Sequence, residues 1–470
     1  MARKSSVLLP AVIAVLSCQT SVSSSQPPPG GTDATAGSGG SEDAGRDTGP
    51  AGGGGLAGGA GQTGSGGSIG PDDASAEPDG IHAEDGAGED TAAEADGAAT
   101  TVDWEPGLLG SSPPASSTLL PLPGEGVGPP VVTSNNPETF TSLGYLYQTA
   151  RASAARGGGP FPLSGRVGVY LHHMNQSGAQ RYVQVVVTNP GNDDVTVSAF
   201  GSGYNQTETG GLGLGYGPDF QVAEDWLTGS FQTHVPPTKI APLKPLQLFV
   251  KSLNHGAELD ARLELDASSP VYFYVAATAT SNVNDVIQLS STEAQGNIAS
   301  PGSPPPPFGR EAGVYAHDRW QGEWTLDVPE ADAHVGFMVN TALGSGMPQD
   351  QAFPALTRFD DSSAESVGNY GNTYDLTVHL RLGPQASSER RVRVLFAGNV
   401  PPTSPLTFQW NGPALVDGHL TPVLIRPQAP MQELAAYVLA PGEARTFTFQ
   451  APVPGLTSIW QMILFESSTP

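Results

Sequence analysis

All 34 aromatic residues of this 470-residue chain lie at or beyond Trp104. A hundred residues without Phe, Tyr or Trp cannot build a hydrophobic core. Burying small side chains does not offset the entropy of ordering the backbone. Between 19 and 103, fifteen Asp and Glu stand against one base, Arg46. They sit among runs such as Gly52-Gly53-Gly54-Gly55 and Ala83-Glu84-Asp85-Gly86. Residues 19–104 therefore read as a disordered acidic tether, and folding is expected to begin near residue 105. As a flexible coil the tether would span roughly 50 Å, and more where its charges repel.

Residues 1–18 read as an address rather than as structure. Arg3 and Lys4 precede an apolar run, Val7 to Leu16, that is too short for a bilayer span of about twenty residues. The run closes Val15-Leu16-Ser17-Cys18, which resembles a bacterial lipobox. The resemblance implies that Cys18 is lipidated, carries palmitate and becomes the new N-terminus after the signal peptide is removed. Lipid chains hold to a membrane at about 0.8 kcal/mol per buried CH₂. Gln19 in place of Asp implies sorting to the outer membrane or cell surface. Cys18 is the only cysteine, so an intrachain disulfide framework and a multi-cysteine metal site are excluded.

The remaining residues carry a core-forming composition. The net charge of −26 excludes nucleic acid as a partner, because a phosphate backbone needs a basic face. Charged residues make up 14% of the chain, against about 25% in ordinary domains. With 60 Gly and 44 Pro, this argues against coiled coils and helical bundles. The dominant pattern has period two, the signature of strands. It runs through Arg166–Leu171, Tyr182–Thr188, Val195–Phe200, Leu246–Leu253, Ala257–Leu265 and Val271–Ala277. It resumes at Tyr374–Leu382, Arg391–Phe396, Leu406–Trp410, Arg445–Gln450 and Ile459–Phe465. Asn189-Pro190-Gly191-Asn192 is a turn signal, and it predicts an antiparallel hairpin between Tyr182–Thr188 and Val195–Phe200. The best helical candidate is Asn136–Ala155. The fold expected is mainly β: two antiparallel β-sandwich or jelly-roll-like lobes behind the tether. The first lobe covers 105–300 and the second 309–470. The four prolines Pro304 to Pro307 make 301–308 a stiff spacer between them.

Several segments resemble a known family. These are Ser134-Asn135-Asn136-Pro137-Glu138, Pro162-Leu163-Ser164-Gly165-Arg166 through His172-His173, and Val187-Thr188-Asn189-Pro190-Gly191. Gly309-Arg310-Glu311-Ala312-Gly313-Val314-Tyr315 and Gly368-Asn369-Tyr370-Gly371-Asn372-Thr373-Tyr374 follow in order. Together they resemble an uncharacterised family of secreted proteins common in cyanobacteria, domain of unknown function 3370, over most of 130–400. The resemblance implies one secreted architecture spanning both lobes and transfers no activity.

Candidate sites follow from residue chemistry. Trp320 and Trp324 fall on one face of a strand, with Tyr315 and Asp318 nearby. Exposed indoles stack on sugar rings and Asp318 would bond their edges. Trp226, beside Glu224 and Asp225, is a second stacking candidate. His172, His173 and His317 are candidate metal residues. Neighbours on a strand face opposite ways, so His172 and His173 cannot share an ion without a bend. His317 and Asp318 with Glu323 could form a general base. Asp193-Asp194 and Asp360-Asp361 could hold calcium at turns. The glycine-rich Gly211–Gly217 run lacks the helix and lysine of a phosphate loop. No His-Glu-x-x-His or Gly-x-Ser-x-Gly motif occurs, and no cofactor is implied. The expected function is a lipid-anchored envelope protein with a non-enzymatic structural or binding role. Its partner would be an envelope polysaccharide or an envelope protein. The alternatives are a glycan-active enzyme and a metal-dependent protein.

Overall fold

Alternation at period two becomes strand almost wherever it occurs. The computed structural model describes residues 108–109, 114, 117–135, 138–151, 160–206, 217–290, 292–296, 311–341, 348–359, 362–398, 410–426, 429–455, 457 and 460–470. The leader with Cys18, the 19–104 tether, the 301–308 spacer, residues 211–216 and Asp360-Asp361 lie outside the described residues.

The chain runs β1 (Leu108–Leu109), β2 (Thr118–Leu120), β3 (Glu125–Val127), β4 (Val131–Ser134), β5 (Thr139–Phe140) and β6 (Gly144–Gln148). It continues through β7 (Leu163–Asn175), β8 (Arg181–Thr188), β9 (Val195–Asn205), helix α1 (Pro218–Thr228), β10 (Thr233–Ile240), β11 (Pro245–Leu253), β12 (Glu258–Thr278) and helix α2 (Val283–Gln288). Next come β13 (Ala312–Tyr315), β14 (Arg319–Asp327), β15 (His334–Val339), β16 (Phe353–Arg358), β17 (Glu365–Ser366) and β18 (Thr373–Arg381). The last six are β19 (Arg390–Ala397), β20 (Trp410–Val416), β21 (His419–Ile425), β22 (Met431–Leu439), β23 (Ala444–Pro452) and β24 (Gln461–Ser468).

The first lobe is organised by β12, whose 21 residues serve two sheets. Its first half pairs with β7 and β9, and its second half with β6 and β8. Between Ala267 and Val271 the register slips and the strand turns the corner. The two halves face each other across a core of Val167, Val169, Leu171, Leu259, Leu263, Phe273 and their neighbours. The second lobe is a sandwich of two six-stranded sheets. One runs β1-β22-β19-β24-β15-β2, the other β21-β20-β23-β18-β14-β3. Phe337, Phe396, Trp410, Phe447 and Phe465 interlock between them. The mainly β architecture is that expected.

Four details differ from the sequence expectation. The described part of the 136–155 helical candidate, 138–151, is not helical. Its Thr139-Phe140 and Gly-Tyr-Leu-Tyr-Gln stretches are β5 and β6, which fits their β-branched and aromatic content. The longest described helix is instead α1, with Pro218 at its first turn and Gly229 in the left-handed conformation at its end. The hairpin between β8 and β9 does not form. β8 pairs with β11 and β12, while β9 pairs with β10 and β12. The 189–194 turn carries the chain from one sheet to the other. Buried Asn189 laces it to the parallel crossing at 241–244 by accepting from the Leu243 amide and donating to Ile240 O.

The lobe limits also differ. β1, β2 and β3 pair with β22, β15 and β14 of the second lobe rather than opening the first. β13, past the proline run, pairs with β4 and continues the first lobe's sheet. Finally, not all pairs are antiparallel: β4 and β5 run parallel to β7, β2 to β15 and β14 to β18. Among the described residues no helix is long and apolar enough to cross a membrane.

Candidate functional site

The sequence of β12 alternates Glu258-Leu259-Asp260-Ala261-Arg262-Leu263-Glu264-Leu265. Its apolar members fill the first core. The register then places Glu258, Asp260, Arg262 and Glu264 on the opposite face, beside Tyr170 and His172 of β7 and Ser202 and Tyr204 of β9. That face is not solvated. Helix α1 lies over it, and second-lobe segments at 371–373 and 453–455 close it. Tyr170, His172, Asp219, Glu258, Asp260 and Arg262 are each at most 5% exposed.

Within this layer, Tyr170 Oη donates to Asp260 Oδ2 at 3.1 Å and His172 Nδ1 donates to the same oxygen at 3.3 Å. Glu258 Oε1 stands 4.0 Å from His172 Nδ1, and its Oε2 accepts from Gln206 at 3.0 Å. Asp219, in the first turn of α1, is enclosed with neither oxygen in a well-formed hydrogen bond. Burial pushes its carboxyl up to about 8, helped by the charges of Asp260 and Glu258 and only partly opposed by the Phe220 amide. Burial also raises Glu258. Burial alone would lower the His172 imidazole. The hydrogen bond and charge of Asp260, with Glu258 and Glu138, outweigh it and raise His172 to about 9. At neutral pH the layer therefore holds a cationic His172 and a neutral Asp219.

One step along β12, the Arg262 guanidinium lies 3.7 Å from the centre of the Trp226 ring and donates to Thr373 Oγ1 at 3.0 Å. Burial lowers it to about 10, so it stays charged at neutral pH. Its carboxylate counterpart, Asp318, is raised by burial and held back by Arg262 and Arg319. A cleft between Tyr170, Gly168, Trp226, Arg262, Asp318 and Gly371 has about 10 Å³ of free volume. That is room for roughly one water and not for a sugar ring. At the rim of α1, Trp226 stacks on Phe200 at 6.1 Å, and Phe231 closes on both rings. These three aromatics are half-buried and His234 beside them is exposed.

The residues singled out by sequence do not assemble as expected. Trp320 is 7% exposed and its Nε1 donates to Pro123 O. Trp324 does share its face, and it packs at 4.9 Å on Phe337 of the second core. Tyr315 is buried in that core too. The even spacing was legible, but the face it marks looks inward, so these rings offer no stacking platform. Asp318 is buried and lines the same narrow cleft as Arg262. Glu323 is on the outer face of β14, where it accepts from His379 at 3.1 Å, away from His317. His317 lies edge-on to Phe353. His172 and His173 do point to opposite sides. His173 Nε2 is 3.0 Å from Ser134 Oγ, with Phe140 edge-on. The imidazoles thus have carboxylate, hydroxyl and ring neighbours rather than one another. Among the described residues no three His, Cys, Asp or Glu side chains converge for a metal ion. Asp193 and Asp194 are exposed at their turn. Sequence reasoning passed over Asp219, Glu258, Asp260 and Arg262. The only available signal was the mixture of both charge signs on one face of β12.

The molecule is thus a two-lobed β protein with a buried ionic layer at the lobe junction. The chain belongs to the family described as "Protein of unknown function (DUF3370)", whose model matches residues 117–211 and 216–402. No curated protein matches it. Among solved structures, the chain is 11% identical to the N-terminal CBM22-1-CBM22-2 tandem domain of Xyn10C from Paenibacillus barcinonensis. That match covers 69% of this chain and 78% of the other, with a TM-score of 0.11. A complex of the plant peptide RALF23 with FER and LLG2 is matched at 12% identity over 66% and 82%, with a TM-score of 0.13. Neither superposition is close enough to carry an argument.

Proposed function

We propose that this chain is a secreted bacterial lipoprotein, anchored in the cell envelope through Cys18 and spaced from the membrane by its acidic tether. Its β lobes take a non-enzymatic structural or binding role, toward envelope polysaccharide or a protein partner. The observation that supports this reading is the closure of the ionic layer. The groups best suited to chemistry are sealed between the lobes, beside a cleft of about one water. The half-buried aromatic rim of Phe200, Trp226 and Phe231 remains for a surface contact, with the Tyr204–Asp225 hydrogen bond at 2.7 Å beside it.

The test is affinity electrophoresis of the full chain through envelope polysaccharides, with Trp226→Ala/Phe231→Ala in parallel. Retardation is expected for the parent and at least a tenfold weaker effect for the variant. Retardation of neither would remove polysaccharide and leave the protein-partner role. In cells, Cys18→Ser is expected to move most of the chain from the membrane fraction to the soluble one. A chain that stays with the membrane would remove the anchor. One observation favours a second reading, acid–base chemistry: burial raises the Asp219 carboxyl to about 8 and raises Glu258 as well, beside the His172 imidazole. Turnover of a glycan that disappears in Asp219→Asn would support it.

A further inference from the structure

Two elements close the ionic layer, and both lie against titratable groups. Helix α1 presents Asp219. The 453–455 segment brings the Gly455 backbone so close that a Cβ there would meet Asp260 Oδ2 at 2.4 Å, His172 Nδ1 at 2.7 Å and Tyr170 Oη at 2.7 Å. That segment is tied in turn to the Gly371 amide through Val453 O at 2.9 Å. Facing them are Tyr170 and His172 from β7, Glu258, Asp260 and Arg262 from β12, Glu138 ahead of β5, and Tyr370 beside Gly371.

We propose that this layer is a proton-dependent latch: neutral and acidic conditions hold α1 against β9 and β12 and the 453–455 segment against β7 and β12, and alkaline conditions release them. The charge balance gives the reason. With His172 cationic and Asp219 neutral, the imidazolium answers the Asp260 and Glu258 carboxylates. When both protons leave, buried carboxylates stand together and His172 no longer answers them. Unpaired buried charge is what a closed interface cannot sustain.

The sign follows from linkage. Asp219 and His172 each hold a proton more tightly in the closed state than in an open, solvated one. Their contribution is complete below the solvated values of about 4 and about 6.5. It falls as pH rises and is gone once pH passes about 8 for Asp219 and about 9 for His172. Each proton released on opening changes the opening constant about tenfold per pH unit. The constant should therefore rise about fortyfold from pH 7 to 8, about tenfold from 8 to 9, and then level off.

Pulsed hydrogen–deuterium exchange on the full chain, corrected for the intrinsic hydroxide dependence, reads this directly. Peptides covering 217–229 and 451–457 are expected to lose protection with those slopes while β18 stays protected. Asp219→Asn, an uncharged near-isostere, is expected to reduce the step from pH 7 to 8 to about tenfold. His172→Gln is expected to open the layer already at neutral pH. A flat profile would overturn the latch. So would an unchanged slope in Asp219→Asn, or loss of β18 protection at the same pH. Opening caused by a chelator alone would overturn it too, because a bound ion rather than protons would then hold the layer.

Discussion

Arg262→Ala is expected to cost about 2–4 kcal/mol of unfolding free energy, from a lost buried hydrogen bond and the lost cover of an indole ring. The guanidinium is the cation that most favours an ionised Asp318, it covers the Trp226 ring, and it bonds Thr373 across the junction. Its loss leaves Asp318 with only the weaker help of Arg319 and Arg166, strips cover from the indole and breaks a bond between residues 111 apart in sequence. Chemical denaturation monitored at pH 7 measures the loss. A second variant separates charge from packing. Arg262→Met/Asp318→Asn removes both charges while keeping most of the volume, and should recover more than half of the deficit. A cost below about 1 kcal/mol for Arg262→Ala would mean that water reaches the guanidinium and that the layer behaves as a surface.

Gly455→Ala is expected to cost about 2–4 kcal/mol, large for the addition of one methyl group. The new carbon would fall well inside contact distance of three polar atoms. Those atoms cannot step aside singly, because Tyr170 Oη and His172 Nδ1 share one acceptor, Asp260 Oδ2. Making room means breaking at least one buried hydrogen bond, and a stranded polar group costs about 1–3 kcal/mol. Gly383 is the matched control. A Cβ there meets nothing within 4 Å, so Gly383→Ala should stay within about 0.5 kcal/mol. Equal effects at the two positions in a thermal melt would show that the 453–455 segment is not seated on the layer.

Much of the fold was legible because strands announce themselves locally. β7, β11, β12, β18, β19 and β23 lie where alternation places them. The inward pairing of Trp320 with Trp324 and the opposed faces of His172 and His173 follow from the same period. Pairing was less legible. The Asn189-Pro190-Gly191-Asn192 turn signals a reversal, but a hairpin and a crossing between facing sheets have the same local sequence. The difference lies in Asn189, whose side chain is satisfied by Asp193 O and by Ile240 O, 51 residues on.

The sequence by itself determined that every aromatic side chain of the core comes from Trp104 onward. It also determined that the folded part is β, since period two is a property of neighbours along one chain. Tertiary structure alone decided that the second face of β12 is an interior. Alternation separates two faces of a strand without saying what covers either one. Nothing in the alternation marks Glu258, Asp260 and Arg262 as enclosed; α1 and the 371–373 and 453–455 segments close over them. The proton affinities of His172 and Asp219 depend on that closure, because burial and the charges gathered there move them.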